Sequence, residues 1–286
     1  MSDYVLITAA YNEEKYIENT ILSVINQKLK PKEWVIVNDG SLDTTAKIIS
    51  KYLIQYNFIK LLNNTQKNGR DFASKAYAIN IAWRNISSSD YKYIGILDAD
   101  ITFDPDYYQE IVNKFELNPK LGVGGGIFFD VINKKMVPIY PSPFSIRGAV
   151  QFFRRECFEK IGGLVPIKYG GEDTVTCISA KMLGYEISNF KDLIVYHHRK
   201  TGTADINIFK RRFRDGIVEY QLGYQPIFQI LKCIKRSIEY PILIGSLIRF
   251  LGFFWANITR QPKAVSEDFI HFFRLEQKSR IKFFKY

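Results

Sequence analysis

The chain of 286 residues is long enough to bury a full core, and 47% hydrophobic with 24% charged residues is the composition of a globular protein. Three scattered cysteines form neither a metal-binding spacing nor an even disulfide set, which favours a reducing compartment. The net charge of +11 is uneven, because residues 197–286 hold 17 Lys/Arg against 7 Asp/Glu. This asymmetry predicts an anionic partner for the C-terminal part, a membrane or a nucleic acid.

The first hundred residues alternate predicted strands with predicted helices. Apolar strands are predicted at 4–8, 34–37, 59–62 and 93–97, and helices at 13–27, 43–56 and 72–86. Asn12 is the predicted N-cap of the first helix, and Ser41 or Asp43 that of the second. Short connections between such units predict a largely parallel sheet that helices cover on both faces.

Two carboxylates follow the fourth predicted strand directly. An extended path would place Asp98 and Asp100 on one side of the sheet edge, about 7 Å apart at Cα. Ligands of open α/β sheets bind outside the carboxyl ends of the strands, and carboxylates suit Mg²⁺ or Mn²⁺ shared with substrate phosphates. The pattern predicts a metal site, although an Asp-X-Asp turn without any ligand has the same sequence.

The alternation ends after a helix predicted at 105–117 with Asp104 as its N-cap. Strands are predicted at 121–131 and 135–139, and a short helix at 156–161. Glu172 and Asp173 begin a further helix that ends near residue 183. The last two predicted strands, at 185–189 and 193–196, end at His197 and His198.

From residue 205 onward the pattern is helical, basic and aromatic, with helices predicted at 205–222, 226–238, 241–258 and 265–276. We place a boundary near 201–204, which gives a domain at 1–204 and a helical extension at 205–286. The range 241–258 is the most apolar, but Arg249 near its centre disfavours a membrane-spanning helix. We expect an interfacial helix on an anionic membrane, with Arg249 extended toward the headgroups. The alternative is that these helices pack on the domain at 1–204 and that their Lys/Arg face is only solvated.

Four motifs in this order and spacing resemble those of the family-2 glycosyltransferases, whose fold is the nucleotide-sugar-binding α/β type called GT-A. They are Thr8-Ala9-Ala10-Tyr11-Asn12-Glu13-Glu14 after strand one, Val37-Asn38-Asp39-Gly40-Ser41 after strand two, Asp98-Ala99-Asp100 after strand four and Gly171-Glu172-Asp173 at a helix start. The resemblance covers about residues 1–200. It implies a mostly parallel central sheet flanked by helices, with the C-terminal helices as an extension.

The resemblance also implies which residues bind a nucleoside-diphosphate sugar. The nucleotide pocket would be formed by Ala9, Ala10, Tyr11 and Glu13. Asp39 would accept a hydrogen bond from the base, typically uracil, and Arg70 would pair with the base or a phosphate. Asp98 would face the ribose or a metal-bound water, Asp100 would ligate Mn²⁺ or Mg²⁺ at the diphosphate, and His198 would add a further metal or phosphate contact.

The implied reaction is an inverting transfer of the sugar to an acceptor hydroxyl, with Asp173 as general base and Glu172 as the next candidate. The acceptor would be a glycan or a lipid-linked molecule. No Gln-X-X-Arg-Trp follows Asp173 and no multi-span membrane domain is present, so the chain departs from the processive branch and a polymer synthase is not expected. The N-terminus begins with a strand rather than a signal peptide, so we expect a cytoplasmic chain at the inner face of the cell membrane.

Two other functions fit parts of the sequence. Asp98, Asp100 and Thr102 also match the nucleophile motif of haloacid-dehalogenase-like phosphatases, but that motif normally opens its fold and here three strand–helix units precede it. A non-catalytic nucleic-acid-binding protein would use the basic C-terminal part, which contains no recognised nucleic-acid module. Nucleic acid is therefore the less expected partner.

Overall fold

The computed structural model describes residues 3–64, 72–133, 135–139, 142, 145–199 and 207–283, which form two compact units. The sheet unit holds the described residues up to Pro166 and those from Glu172 to Arg199. The helical unit holds Ile167–Gly171 and the described residues from Asn207 onward.

The described strands of the sheet unit form one mixed sheet. They are β1 (Tyr4–Ala10), β2 (Glu33–Asn38), β3 (Ile59–Asn63), β4 (Tyr93–Ile96), β5 (Ile101–Phe103), β6 (Leu121–Ile132), β7 (Lys135–Ile139), β8 (Phe152–Arg154) and β9 (Glu186–His197). Their order is β3-β2-β1-β4-β8-β6-β9-β5, and β7 pairs with β6. The first four strands are parallel as predicted, and β6 also runs parallel to β9. The antiparallel strand β8 was not predicted.

Helices cover both faces of this sheet. They are α1 (Ile17–Ile25), α2 (Thr45–Leu53), α3 (Phe72–Arg84), α4 (Tyr107–Leu117), α5 (Arg155–Ile161) and α6 (Glu172–Met182). In β2, Trp34 and Ile36 belong to one hydrophobic cluster with residues of α1 and α4, whereas Val35 and Val37 belong to a second cluster with residues of α3 and α5. Burial on both faces explains why the strands are continuous apolar runs, and the predicted fold class is confirmed.

The loops at the carboxyl edge differ from the prediction. β4 ends at Ile96, and the chain turns at residues 99–100 before β5, so Asp98 and Asp100 lie in the connecting loop rather than on an extended strand. The predicted N-cap role of Asn12 is wrong, because α1 begins at Ile17 without a side-chain cap. Asn12 instead adopts a positive φ of 53°, and its Oδ1 accepts a hydrogen bond from the backbone N–H of Leu42 at 2.8 Å.

The helical unit consists of α7 (Ile208–Gln221), α8 (Pro226–Lys235), α9 (Ile244–Ile258) and α10 (Glu267–Phe283). α7 and α9 pack with their backbones almost in contact. A Cβ on Gly216 would lie 2.0 Å from the carbonyl oxygen of Arg249, and a Cβ on Gly252 would lie 2.1 Å from that of Phe213. Glycine is therefore needed at both positions. Among the described residues, no helix is both long enough and apolar enough to cross a bilayer.

Arg249 does not extend outward from α9 as expected. Its side chain is buried, with Nε 2.8 Å and Nη2 2.6 Å from the carboxylate of Glu219 on α7 and Nη1 3.4 Å from Asp215. Burial alone would raise the pKa of Glu219, but Arg249 and Lys232 hold that pKa well below its usual range. The expectation that Arg249 reaches lipid headgroups is therefore wrong, because the guanidinium already has two carboxylate partners inside the unit.

Candidate active site

A cleft of about 170 Å³ opens at the carboxyl ends of β1, β2 and β4. Its lining residues are Ala9, Ala10, Tyr11, Glu13, Asp39, Ser74, Lys75, Asp98, Ala99, Asp100 and Arg199. The structure thus brings together seven residues that the sequence analysis assigned to the donor or its metal: Ala9, Ala10, Tyr11, Glu13, Asp39, Asp98 and Asp100. The predicted residue Arg70 lies outside the described residues.

Hydrogen bonds between two loops hold the wall of the cleft. The backbone N–H of Asn12 donates to Ser41 Oγ at 3.0 Å, and that of Glu13 donates to Thr45 Oγ1 at 2.7 Å. The loop after β1 is thereby fixed to the loop after β2 and to the start of α2. The backbone from Ala9 to Glu13 is consequently positioned before any ligand binds.

Asp39 lies beside this wall at the end of β2. Its backbone N–H donates to Ala10 O at 2.8 Å, and its Oδ1 accepts from Asn64 Nδ2 at 2.7 Å. Burial raises the pKa of Asp39, and the hydrogen bond from Asn64 opposes that rise. A carboxylate held in this way can accept an N–H hydrogen bond from a nucleobase.

Lys75 of α3 is a cation that the sequence analysis did not identify. Its Nζ lies 2.6 Å from Asp98 Oδ1, and both side chains are about a quarter exposed. Burial would lower the pKa of Lys75, but the charges of Asp98 and Glu172 raise it, so the ammonium group stays protonated. The cleft therefore contains a fixed positive charge next to Asp98, suitable for a phosphate group.

Asp100 is buried between two further basic groups. Its Oδ2 lies 3.4 Å from His197 Nε2 and 3.3 Å from Arg199 Nε, and Arg199 also forms an ion pair with Glu13. Burial would raise the pKa of Asp100, but His197 and Arg199 outweigh it and lower the pKa. Asp100 is therefore an ionised carboxylate at neutral pH.

His197 is fixed from behind by a second buried carboxylate. Its Nδ1 lies 2.8 Å from Asp130 Oδ1 on β6, so the other ring nitrogen faces Asp100. Burial lowers the pKa of His197, but Asp100 and Asp130 raise it by more. A carboxylate behind an imidazole orients the ring and increases its basicity, as in many histidines that bind ligands or metals.

The structure places His197, rather than the predicted His198, against the Asp100 carboxylate. The side chain of His198 is hydrogen-bonded to Thr102, with 2.7 Å between Nε2 and Oγ1. Consecutive residues at the end of a strand point to opposite sides, and His197 is the residue paired with Asp130 across β6 and β9. The sequence shows two adjacent histidines at the end of a predicted strand, only one of which can face Asp100. The register of β9 against β6 was needed to choose between them.

The donor set around Asp100 suits a hard divalent cation. Within the described residues, no group of three or more His, Cys, Asp and Glu side chains could enclose a metal. Mg²⁺ does not require such a cage, because one or two carboxylates together with substrate phosphates and waters hold it, and Mn²⁺ also accepts imidazole. Asp100 with His197 Nε2 fits such a partial site.

Glu172 and Asp173 begin α6 close to Lys75. A Cβ on Gly148 would lie 3.5 Å from Asp173 Cβ and 3.9 Å from both Glu172 Oε1 and Lys75 Nζ, so these groups converge on one glycine. Neither carboxylate is among the described residues that line the cleft. Burial, followed by the charge of Asp173, raises the pKa of Glu172 to about 7. Burial also raises the pKa of Asp173, although hydrogen bonds from Thr174 oppose that rise.

Comparison with known proteins identifies the family of this fold. The model of a family described as "Glycosyl transferase family 2" matches residues 5–163, more than half of the chain. The chain belongs to glycosyl transferase family 2. The matched range includes Asp39, Asp98 and Asp100 and ends before Glu172 and His197.

Two relatives in this family carry the same name. The poly-beta-1,6-N-acetyl-D-glucosamine synthase of Staphylococcus epidermidis is 28% identical over 220 residues, which are 77% of this chain and 47% of the relative. The synthase of that name from Staphylococcus aureus strain COL is 37% identical over 120 residues, 42% of this chain and 27% of the relative. The chain therefore spans about half the length of the first relative and less of the second.

Two solved structures share the GT-A fold of this family. The mannosyltransferase PcManGT from Pyrobaculum calidifontis, in complex with GDP-Man and Mn²⁺, has a TM-score of 0.61 and 17% sequence identity. The match covers 96% of this chain and 84% of the PcManGT chain. S. aureus TarS 1-349 in complex with UDP-GlcNAc has a TM-score of 0.58 and 18% sequence identity. The match covers 84% of this chain and 73% of the TarS chain. These similarities confirm the predicted GT-A fold.

Proposed function

We propose that this family-2 chain transfers a sugar from a nucleoside-diphosphate sugar, preferably a UDP-sugar, to a hydroxyl group of a glycan or lipid-linked acceptor, with inversion and with a divalent metal ion. The observation that carries the proposal is the cleft, where Asp39, Asp98 and Asp100 meet the cations Lys75 and Arg199 at the carboxyl ends of the parallel strands β1, β2 and β4. Such an edge is where open α/β sheets bind nucleotides.

In this proposal the cleft orients the donor by binding both its nucleoside and its diphosphate. The backbone at Ala9–Tyr11, together with Asp39, binds the nucleoside, and Arg70 remains the proposed partner of the base or a phosphate. The Lys75 ammonium group lies next to Asp98 and would neutralise negative charge on a diphosphate bound there. Asp100 and His197 would hold Mn²⁺ or Mg²⁺, which supplies positive charge to the departing diphosphate.

The proposed general base is Asp173, with Glu172 as the alternative. The acceptor hydroxyl oxygen attacks the anomeric carbon as its proton passes to the Asp173 carboxylate, and the bond from that carbon to the diphosphate oxygen breaks. A pKa that burial has raised makes the carboxylate a stronger base than an exposed aspartate. A single displacement of this kind inverts the anomeric centre.

The names of the relatives support a choice of donors to test first. One relative is a synthase of poly-beta-1,6-N-acetyl-D-glucosamine, and TarS was solved with UDP-GlcNAc, whereas PcManGT was solved with GDP-Man and Mn²⁺. UDP-GlcNAc is therefore the first donor to test and GDP-mannose the second. We also propose that the chain works peripherally at the cytoplasmic face of the cell membrane, where a lipid-linked acceptor is accessible.

A donor screen tests this function. Nucleoside diphosphate release is measured for UDP- and GDP-sugars with Mn²⁺, with Mg²⁺ and with a chelator, and a UDP-sugar with metal should give the highest rate. Asp100→Asn should reduce that rate by about 10²- to 10³-fold. Asp90→Asn is the matched control, because the Asp90 side chain is 95% exposed. A rate that neither the chelator nor Asp100→Asn lowers would contradict the metal role, and no binding of any nucleotide sugar would contradict the function.

A further inference from the structure

Helix α9 buries polar residues on its inner side and exposes a row of large apolar residues on its outer side. Ser246 and Arg249 are buried, together with Phe253, Ala256 and the glycines that contact α7. The exposed apolar side chains recur every three or four residues along the opposite side: Ile244, Leu247, Leu251, Trp255 and Ile258. Leu247 is 58% exposed and Ile258 76%. An ordinary surface helix has the reverse arrangement.

Helix α8 also buries a polar residue, next to Phe228 and Cys233, and exposes apolar residues. Gln229 is completely buried and donates to Glu219 at 2.7 Å, and Lys232 forms an ion pair with the same carboxylate. The exposed apolar residues are Ile227, Ile230, Leu231 and Ile234, and the segment between α8 and α9 adds Ile238, Tyr240, Ile242 and Leu243. We call the exposed apolar residues from Ile227 to Ile258 the apolar face.

The polar sides of both helices converge on one point. Glu219 of α7 binds Gln229 and Lys232 from α8 and Arg249 from α9. Because both helices turn their polar sides toward Glu219, their apolar sides are both turned away from it and belong to the outer surface of the same unit. Exposed large apolar side chains that occur together in one segment mark binding sites for proteins or membranes.

The charge around the apolar face favours an anionic bilayer. Residues 207–260 contain nine Lys/Arg and three Asp/Glu. All three carboxylates are in ion pairs: Asp215 and Glu219 with Arg249, and Glu239 with Arg212 at 3.4 Å. The segment therefore has an excess of positive charge, and helices with an apolar face and basic surroundings bind in the plane of anionic membranes.

We propose that the apolar face of α8 and α9 inserts into the headgroup–acyl boundary of an anionic bilayer without crossing it. The inserted groups are the outward side chains around Leu247, Leu251 and Trp255, whereas Arg249 stays inside the unit and contributes to holding α9 in place. Because the proposal builds on the peripheral location proposed above, its test measures vesicle binding and donor binding separately.

The test uses the full chain and sedimentation with vesicles. Vesicles of phosphatidylcholine with phosphatidylglycerol are compared with phosphatidylcholine alone, and the chain should bind the anionic vesicles more tightly, with an affinity that falls as salt rises. Leu247→Gln/Leu251→Gln should weaken that binding at least about tenfold, because it removes apolar contacts without adding charge. The matched control is Ile54→Gln/Leu117→Gln, since these side chains of the sheet unit are 95% and 85% exposed. The control should bind as the unaltered chain does.

A second measurement places the face in the bilayer. Brominated acyl chains should quench tryptophan fluorescence in the unaltered chain, and Trp255→Phe should remove most of the quenching. The other two tryptophans belong to the sheet unit, where Trp34 is buried and Trp83 is partly buried against Phe158. Nucleotide binding and the thermal unfolding midpoint of each variant show that it is folded.

Three outcomes would overturn the proposal. If the Leu247/Leu251 variant binds vesicles like the control, the apolar face is not the docking surface, although the peripheral location stands. If the unaltered chain binds no vesicles, both fail while sugar transfer remains testable. If the chain is instead a dimer in sedimentation velocity and the same variant is a monomer, the apolar face is a contact between copies.

Discussion

Both units bury apolar residues, but they differ in where they bury charge and in how much apolar surface they expose. In the sheet unit, the central strands are buried apolar runs such as Trp34 to Val37. Buried Asp100 lines the cleft with Asp130 behind it, whereas buried Glu33 at the start of β2 pairs with Lys60.

In the helical unit, Glu219 and Arg249 are buried beside apolar residues such as Phe253, and many further apolar side chains are exposed on α8 and α9. The difference teaches that pairing with opposite charge does not distinguish the two cases, since both Asp100 and Glu219 are paired. A buried charge indicates a ligand site when a cleft adjoins it, as at Asp100, and a structural contact when it lies within helix packing, as at Glu219.

The largest expected effect tests whether the buried charges of the helical unit stabilise its fold. Glu219→Gln leaves Arg249 and Lys232 without their carboxylate, so the free energy of unfolding should fall by about 3–5 kcal/mol. Urea denaturation followed by circular dichroism measures the change, and nucleotide binding to the folded variant should be unaffected.

A carboxylate in more exposed ion pairs provides the control. Glu239 pairs with Arg212 and Arg236, but its side chain is 42% exposed, so Glu239→Gln should cost less than about 1 kcal/mol. Equal stabilities for the two variants would show that burial of the Glu219 network does not distinguish this unit.

The second effect tests whether a buried carboxylate of the sheet unit takes part in catalysis. Asp173→Asn keeps the shape of the side chain and an oxygen that can accept from Thr174, but it removes the basicity. The turnover number should fall by about 10²-fold with donor affinity retained, measured by product release and by nucleotide titration. Asp192→Asn, at a side chain that is 64% exposed, should be neutral. Turnover that survives in Asp173→Asn but is lost in Glu172→Gln would assign the base to Glu172.

The smallest effect is a change in how stability depends on pH. Burial and Asp173 raise the pKa of Glu172 to about 7, so the folded chain retains this proton at pH values where an unfolded glutamate has lost it. The resulting stabilisation is complete below about pH 4 and is lost as the pH rises through about 7. The unfolding midpoint of Glu172→Gln should therefore fall less than that of the unaltered chain between about pH 5 and pH 8. A parallel pH dependence of the two chains would contradict the raised pKa.

Much of the sheet unit was readable from the sequence because its strands are buried on both faces. Continuous apolar runs such as 34–37 then mark the strands, and polar residues such as Asp39 mark where they end. β8 was missed because its three residues form a strand only by pairing with β4 and β6. Lys75 was missed because its role depends on α3 beginning at the cleft, which is a property of the tertiary structure.

The orientation of α9 shows a second limit. The sequence contains two stripes, one with Ser246, Arg249 and the glycines and one with Leu247, Leu251 and Trp255. Periodicity defines both stripes but does not say which one faces inward. The partner that decides is Glu219 of α7, thirty residues away along the chain, and it draws the polar stripe inside.

The close contact at Gly216 has a consequence for how the helical unit unfolds. The atom that excludes a Cβ from Gly216 is the carbonyl oxygen of Arg249, the residue whose side chain binds Glu219 one turn further along α7. Any movement that parts the two backbones there also pulls the guanidinium away from its carboxylate. We therefore expect helix packing and ion pairing to weaken together when α9 separates from α7.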